Sequence, residues 1–315
     1  MNRDTTTDPD PTVVRERLVA ASALTDRRRD LAGIDTAVLE GGEGPPLVLL
    51  HGQGEFGPVW IRVLRQLAVT HRLIVPDLPG HGASGIGTDP LDAPAMVRWL
   101  DALIDQTCGT TRDPRAERPV VAGHLLGGAV AARHAVAHGD RLAHLVLVDT
   151  LGLAWFRPKL RFALPMVAFL ARPTAASRDR LFDQCFADRD ALATAAADHW
   201  EDLMSYALAS ARDPKLQTAM KTMMPKVGLP PISPEDLAGI SVPTTLIHGR
   251  DDLQVPLAVA QAASARYGWP LHVIEEVRDD PAAERPAEFV AALADALGDP
   301  RSLGNQSAPH GKVRP

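Results

Sequence analysis

The stretch that decides the fold is "VVAGHLLGGAVAARHA", residues 120–135. It starts as an apolar run of strand length and ends as a helix-like segment. Between them lie Gly123, Gly127 and Gly128, which permit a strand-to-helix turn too cramped for larger side chains. We therefore predict a strand, a sharp turn and a helix, with residue 125 projecting above a sheet. That residue is Leu125, which has no reactive group.

The sequence on both sides of this stretch alternates between apolar runs of strand length and helix-like segments. The predicted strands are residues 45–50, 71–77, 118–123, 142–149, 242–249 and 270–277. The predicted helices are residues 60–68, 95–106, 127–138, 256–267 and 284–297. Such alternation is typical of a doubly wound α/β fold, in which helices cover both faces of a mostly parallel sheet.

The interval between residues 149 and 242 breaks the alternation, because it has helical periodicity and no strand pattern. We predict a helical cap at 152–238, inserted into an α/β core formed by 31–151 and 239–298. The polar segments 1–30 and 299–315 are predicted to be flexible.

The cap is rich in large apolar side chains, which suggests that it also covers a binding pocket. Ligand sites in such sheets lie at the carboxyl ends of the strands, where the cap emerges. Trp155, Phe156 and Trp200 are the expected ligand-binding residues. The alternative is that they only pack the cap onto the core.

Composition excludes several function classes. The 45% hydrophobic and 23% charged content is that of an ordinary globular protein. The net charge is −6, from 33 Lys+Arg and 39 Asp+Glu, without a basic block that could bind nucleic acid. No apolar signal or membrane-spanning stretch is recognisable, so we expect a cytoplasmic protein with no membrane partner. Neither Cys108 nor Cys185 has metal-ligand spacing, so we expect no metal. The glycine pattern of "HGQGEFG" (51–57) is too loose for a dinucleotide-binding motif, so we expect no cofactor. The oligomeric state stays open.

Four segments carry a resemblance to a known family. They are "LLHGQGEFGPVW" (49–60), "VPDLPGHGASG" (75–85), "VVAGHLLGGAVA" (120–131) and "LIHGRDDLQVP" (246–256). Their order and spacing resemble the α/β-hydrolase fold superfamily over residues 35–298. The similarity is to its cap-bearing branch, which includes esterases, epoxide hydrolases, haloalkane dehalogenases and carbon–carbon bond hydrolases.

This resemblance implies roles for five residues. Leu125 stands at the nucleophile position, and the backbone N–H groups of Gln53 and Leu126 stand where the family forms its oxyanion hole. Asp252 matches the acid in the family's G-x-x-D pattern. In "EVRDDPAAERPAEF" (276–289) the histidine position is occupied by Asp279. Both the nucleophile and the base of a serine triad are therefore substituted.

A serine triad needs an imidazole to take the hydroxyl proton, so serine-triad hydrolysis is not expected here. Three functions remain open, and whether the protein is an enzyme remains open with them. The first is binding of a small apolar ligand under the cap, with Leu125 as the pocket floor. The second is a non-hydrolytic enzyme, a cyclase, lyase or isomerase of a carbonyl compound, with Asp252 and Asp279 as acid and base. The third is hydrolysis by an unorthodox route, such as a water activated by a carboxylate.

The two carboxyl groups carry a further expectation. If Asp252 and Asp279 face each other, at least one should have a raised pKa, because two like charges disfavour double ionisation. Alternatively Arg250 or Arg278 neutralises the pair, or both aspartates are solvated on a loop.

Overall fold

The computed structural model describes residues 10–109 and 117–298. Its centre is an eight-stranded sheet in the order β1-β2-β4-β3-β5-β6-β7-β8. The strands are β1 Thr25–Leu31, β2 Ile34–Gly41, β3 Pro46–Leu50, β4 Arg72–Pro76, β5 Val120–His124, β6 His144–Val148, β7 Thr244–Gly249 and β8 Leu271–Ile274. Strands β3 to β8 pair in parallel, and β2 pairs antiparallel with both β1 and β4. The expected mostly parallel α/β sheet is confirmed.

Thirteen α-helices lie in the described part of the chain. They are α1 Pro11–Ser22, α2 Ile61–Leu67, α3 Ala93–Cys108, α4 Leu125–His138, α5 Leu160–Ala171, α6 Ala175–Cys185, α7 Arg189–Ala195, α8 Ala197–Ala211, α9 Pro214–Met223, α10 Pro234–Ala238, α11 Ala258–Tyr267, α12 Pro281–Glu284 and α13 Pro286–Ala296. Helices α3, α4 and α11 share one buried cluster on one face of the sheet, and α2 and α13 share another on the opposite face. None of the described helices is long and apolar enough to cross a membrane.

The N-terminal segment differs from the prediction. From residue 10 onward the segment predicted to be flexible forms α1 and β1. Val14 and Leu18 of α1 are buried against Phe56, Ile61 and Tyr206, and these contacts outweigh the polar composition. The "TDRRRDL" strand is mostly exposed and pairs through its backbone, so it has no apolar pattern to reveal it. Residues 1–9 and the predicted tail 299–315 lie outside the described residues.

The interval between β6 and β7 contains only helices, α5 to α10 and a π-helical turn at Met224–Gly228. We call this insertion the cap. It has apolar clusters of its own, one of which joins Phe162 and Phe169 of α5 to Leu253 in the loop after β7. The cap is therefore anchored on a loop at the carboxyl ends of the strands.

Candidate functional site

The turn after β5 has the predicted geometry. Leu125 follows the last residue of β5 at φ +46°, in the left-handed region that costs an ordinary side chain about 1–2 kcal/mol. A Cβ on Gly127 would lie 2.5 Å from the Leu50 carbonyl oxygen, and one on Gly123 would lie 2.5 Å from the Gly127 carbonyl oxygen. Contacts with neighbouring backbone therefore exclude larger residues from this turn.

Leu125 is buried in an apolar cluster and does not face open space. Its exposed fraction is 1%, and it packs with Ala129, Leu151 and Val255. Phe156 and Met224, both partly buried, pack against this cluster from the cap side. The crevice beside the cluster has a volume of about 10 Å³, room for roughly one water molecule. Leu125 is thus covered by neighbouring side chains, and the crevice beside its cluster has no room for a ligand.

The three predicted pocket residues are separated in the fold. Phe156 packs against the Leu125 cluster, and Trp155 borders the crevice but is 66% exposed. Trp200 packs inside the cap with Leu192 and Met204, and so neither lines the crevice nor packs the cap onto the core in this cluster. The structure thus brings only Phe156 of these three against the residues around Leu125.

The loop after β3, which carries Gln53, is held rigidly. His51 donates from Nδ1 to the Gly52 carbonyl oxygen at 2.8 Å, and its Nε2 accepts the Leu78 N–H at 2.9 Å. The Gly127 N–H donates to the His51 carbonyl oxygen at 3.1 Å, which ties this loop to the first turn of α4. Gln53 and Leu126 thus lie on two joined segments at one edge of the sheet, and their role as oxyanion donors stays a prediction.

Sequence reasoning missed an ion pair beneath the turn. His124 is buried, its Nδ1 lies 3.3 Å from Oε2 of Glu55, and its Nε2 donates to the Asp279 carbonyl oxygen at 2.7 Å. Burial alone lowers the His124 pKa, but the Glu55 carboxylate reverses this and raises it well above its usual value. Burial likewise raises the Glu55 pKa, and the His124 charge makes the net change a decrease. The one local signal was an acidic residue in the loop after a buried strand.

Asp252 and Asp279 are linked through Gln254. Asp252 Oδ1 accepts the N–H groups of Gln254 and Val255 at 2.6 and 3.0 Å, while the Gln254 side chain donates to Asp279 Oδ1 at 3.2 Å. Burial raises the pKa of Asp252 to about 7. Burial, followed by the charge of Asp252, raises the pKa of Asp279 well above its usual value. The shifts have the expected direction, but burial contributes more than repulsion between the carboxylates.

The expected arginine neutralisation is wrong. Arg250 pairs with Glu275 at the surface, and Arg278 donates to the carbonyl oxygens of Asp183 and Phe186 in the cap. The cation whose charge acts on the two aspartates is His124. It reaches them from β5 because the carboxyl ends of parallel strands share one edge of the sheet.

Asp149, His248 and Asp252 form a second buried group, with candidate metal-ligand atoms within 4.8 Å of one another. His248 already donates from Nε2 to the Val255 carbonyl oxygen at 2.8 Å, and its Nδ1 lies 3.1 Å from Asp149 Oδ1. Burial lowers the His248 pKa to about 4, while burial and the Asp252 charge raise that of Asp149. Both ring nitrogens of His248 thus already have partners within the protein.

Neither Cys185 nor Ser84 offers a replacement nucleophile. Both cysteines are buried. Burial, together with the charges of Asp279 and Asp252, raises the pKa of the Cys185 thiol well above its usual value, so it stays protonated. The buried Ser84 hydroxyl donates to the Asp77 carbonyl oxygen and accepts the Ala37 N–H. Both side chains are structural here.

The sheet, the strand-turn-helix and the cap between β6 and β7 are features of one family. A sequence model of the alpha/beta hydrolase family matches residues 47–292, and the chain belongs to that family. A 2-hydroxymuconate semialdehyde hydrolase of Pseudomonas sp. (strain CF600) is 27% identical over 281 residues, 85% of this chain and 92% of its own length. A pimeloyl-[acyl-carrier protein] methyl ester esterase of Aromatoleum aromaticum is 30% identical over 236 residues, 70% of this chain and 85% of its own.

Solved structures show the same fold. The naproxen esterase (carboxylesterase NP) of Bacillus subtilis superposes with a TM-score of 0.75 at 16% identity, covering 91% of this chain and 96% of its own. The meta-cleavage product hydrolase CumD of Pseudomonas fluorescens IP01 superposes with a TM-score of 0.70 at 22% identity, covering 86% and 97%.

Proposed function

We propose that this chain has left serine-triad hydrolysis and binds a small, largely apolar carbonyl compound at the carboxyl ends of β3 and β5. The observation that carries this proposal is Leu125 itself, buried in an apolar cluster at the position where the fold presents a nucleophile. Both sequence relatives described above are named for carbonyl compounds, a semialdehyde and a methyl ester. The proposed ligand keeps that chemistry while the covalent step is lost.

In this binding mode the polar anchor is backbone and the rest is apolar contact. The N–H groups of Gln53 and Leu126 hold the carbonyl oxygen. The Leu126 amide lies in the first turn of α4 and lacks an intrahelical acceptor, and Gln53 lies in the adjacent loop after β3. Leu125, Leu151 and Val255 form the floor. The crevice of about 10 Å³, which Phe156 lines, has to open for entry. Phe156 and Met224 are the partly buried side chains that pack over the Leu125 cluster.

A second candidate is proton transfer to or from a bound carbonyl compound. Asp279 is partly exposed, is held by Gln254, and has a pKa raised well above its usual value by burial and by Asp252. Such a neutral carboxyl group can donate a proton at neutral pH, as an isomerase or lyase requires. The same shift disfavours water activation by Asp279, because that step needs the ionised carboxylate.

The serine-triad part of the proposal is tested with a fluorophosphonate probe. We expect no labelling of the wild type or of Leu125→Ser, because a serine without its base stays a neutral alcohol. The double variant Leu125→Ser with Asp279→His restores nucleophile and base and is the matched positive control. Stoichiometric labelling of the wild type at the turn would refute the proposal.

Binding is separated from turnover with a panel of methyl esters and methyl ketones. We expect mass spectrometry to show bound, unchanged compound and no product. If a product of isomerisation or elimination forms, is lost in Asp279→Asn and persists in the exposed neighbour variant Asp251→Asn, the second candidate function replaces the first. If the wild type binds none of the compounds in the panel, that result would count against both candidate functions.

A further inference from the structure

Helix α5 of the cap presents an apolar stripe to solvent. Leu160, Leu164, Val167 and Leu170 are 70%, 63%, 59% and 63% exposed, and their spacing of three or four residues places them on one face. Trp155, 66% exposed, precedes the helix. Single exposed apolar residues are ordinary, whereas a continuous stripe marks an interaction surface.

The stripe is held outward by the opposite face of the same helix. Phe162 and Phe169 are buried against Leu181, Leu208 and Leu253. The Lys159 N–H also donates to the Leu253 carbonyl oxygen at 2.7 Å, which fixes the start of α5 to the loop after β7. The helix therefore cannot turn its exposed leucines inward without losing this cluster.

Basic residues lie before, within and after the stripe in the sequence. Residues 150–178 contain no Asp or Glu. Arg157, Lys159, Arg161 and Arg172 are all exposed, and none forms an ion pair with another residue in the described ranges. The local charge is thus opposite in sign to the net charge of −6.

We propose that this surface, defined by the α5 stripe, Trp155 and the four basic residues, docks the protein onto an anionic lipid bilayer. The leucines and Val167 enter the boundary between head groups and acyl chains, and the basic side chains contact lipid phosphates and carboxylates. Tryptophan favours this same interfacial depth. Such peripheral docking needs no membrane-spanning helix and is independent of the function proposed above.

Charge favours a lipid surface over a second copy of this chain. A symmetric dimer through this surface would bring its four cations close to the same four cations of the partner. An anionic bilayer neutralises them instead, and its apolar layer accepts the stripe. An acidic protein partner is an outcome that the experiment below distinguishes.

The full chain is sedimented with vesicles of phosphatidylcholine alone or mixed with phosphatidylserine. We expect binding to the mixed vesicles that weakens with added salt, and little binding to phosphatidylcholine. In the double variant Leu164→Gln with Val167→Gln, the partition coefficient of the protein between water and mixed vesicles should fall at least about tenfold. Two apolar side chains are then no longer transferred from water into the bilayer. Val69→Gln, at a site 80% exposed outside this surface, is the matched control and should bind as the wild type does.

A second readout follows the docked surface directly. The tryptophan emission of the wild type should shift to the blue on adding mixed vesicles, and Trp155→Phe should remove most of that shift. No sedimentation with mixed vesicles overturns the proposal and leaves a protein partner as the alternative. A wild type that dimerises through the stripe, or a double variant that binds vesicles as the wild type does, also overturns it.

Discussion

The turn after β5 and the loops after β7 and β8 meet at one edge of the sheet, yet they are constrained differently. At the turn, added Cβ atoms on Gly123 and Gly127 would meet backbone atoms at 2.5 Å. In the loops, Asp252 and Asp279 are held by hydrogen bonds that involve Gln254 and by a histidine from another strand. Packing dictates the residue types of the first region, and polar contacts those of the second.

The difference teaches that the residue types of the turn follow from backbone contacts and carry no information about the chemistry at residue 125. The glycines of the turn are required by backbone contacts whether or not residue 125 reacts. A charged side chain in the loops can be exchanged for another without altering any strand, provided that its charge finds partners. Here burial raises the pKa values of Asp252 and Asp279, and the positive charge of His124 opposes that rise.

The largest effect is expected at the turn. Gly127→Ala places a Cβ 2.5 Å from the Leu50 oxygen and 2.6 Å from the His51 oxygen. We expect a loss of about 3–5 kcal/mol in the free energy of unfolding, or failure to fold, measured by urea denaturation. Gly139→Ala is the control, since its nearest neighbour atom would be 3.7 Å away and its φ is −60°. Equal losses in the two variants would refute the packing argument.

The ion pair beneath the turn should show the next effect. Glu55→Gln leaves the buried His124 without its carboxylate and should cost about 2 kcal/mol of unfolding free energy, less than a fully buried pair because Glu55 is 22% exposed. NMR titration should show a lower His124 pKa in the variant. Glu117→Gln, which removes the more exposed partner of Arg72, should cost less than about 0.5 kcal/mol. An unchanged His124 titration would mean that the pair does not form.

The raised pKa of Asp252 predicts a pH dependence. Its value of about 7 in the folded protein lies above the unfolded value of about 4, so the folded state binds the proton more tightly. Its contribution to stability is therefore complete below about pH 4 and is lost as pH rises to about 7. In Asp252→Asn the free energy of unfolding should fall less steeply with pH over this range. The slopes of the variant and the wild type should differ by up to about 1.4 kcal/mol per pH unit.

Denaturation at several pH values measures that slope. Asp251→Asn is the control, because Asp251 is exposed on the same loop and the buried carboxyl groups stay in place. A pH profile of Asp252→Asn that matches the wild type would show that Asp252 is already ionised in the folded protein.

The smallest effect concerns the backbone of Leu125. Leu125→Gly and Leu125→Ala both remove the buried side chain, but glycine relieves the φ of +46°. The glycine variant should therefore be the more stable of the two by about 1 kcal/mol. At Leu126, the next residue of α4, the same pair of substitutions should give the opposite order, since glycine weakens a helix. The same order at both positions would remove the evidence for strain at residue 125.

Much of the fold could be predicted because its signals are local. The six predicted strands correspond to β3 through β8, since buried parallel strands are continuous apolar runs. Strands β1 and β2 and helix α1 were not predicted. β1 is largely exposed and rich in arginine, and α1 is stabilised by residues distant in the chain, among them Tyr206 of the cap.

The sequence by itself determined the strand-turn-helix, the placement of the cap and the absence of a nucleophile at residue 125, because each depends on neighbouring residues. Only the tertiary structure decided that His124 pairs with Glu55, 69 residues away, and contacts Asp279, 155 residues away. It alone decided that Phe156 closes the crevice and that burial raises the pKa values of Asp252 and Asp279. Charge states and cavities depend on what the whole fold brings together, and no stretch of the chain contains that information alone.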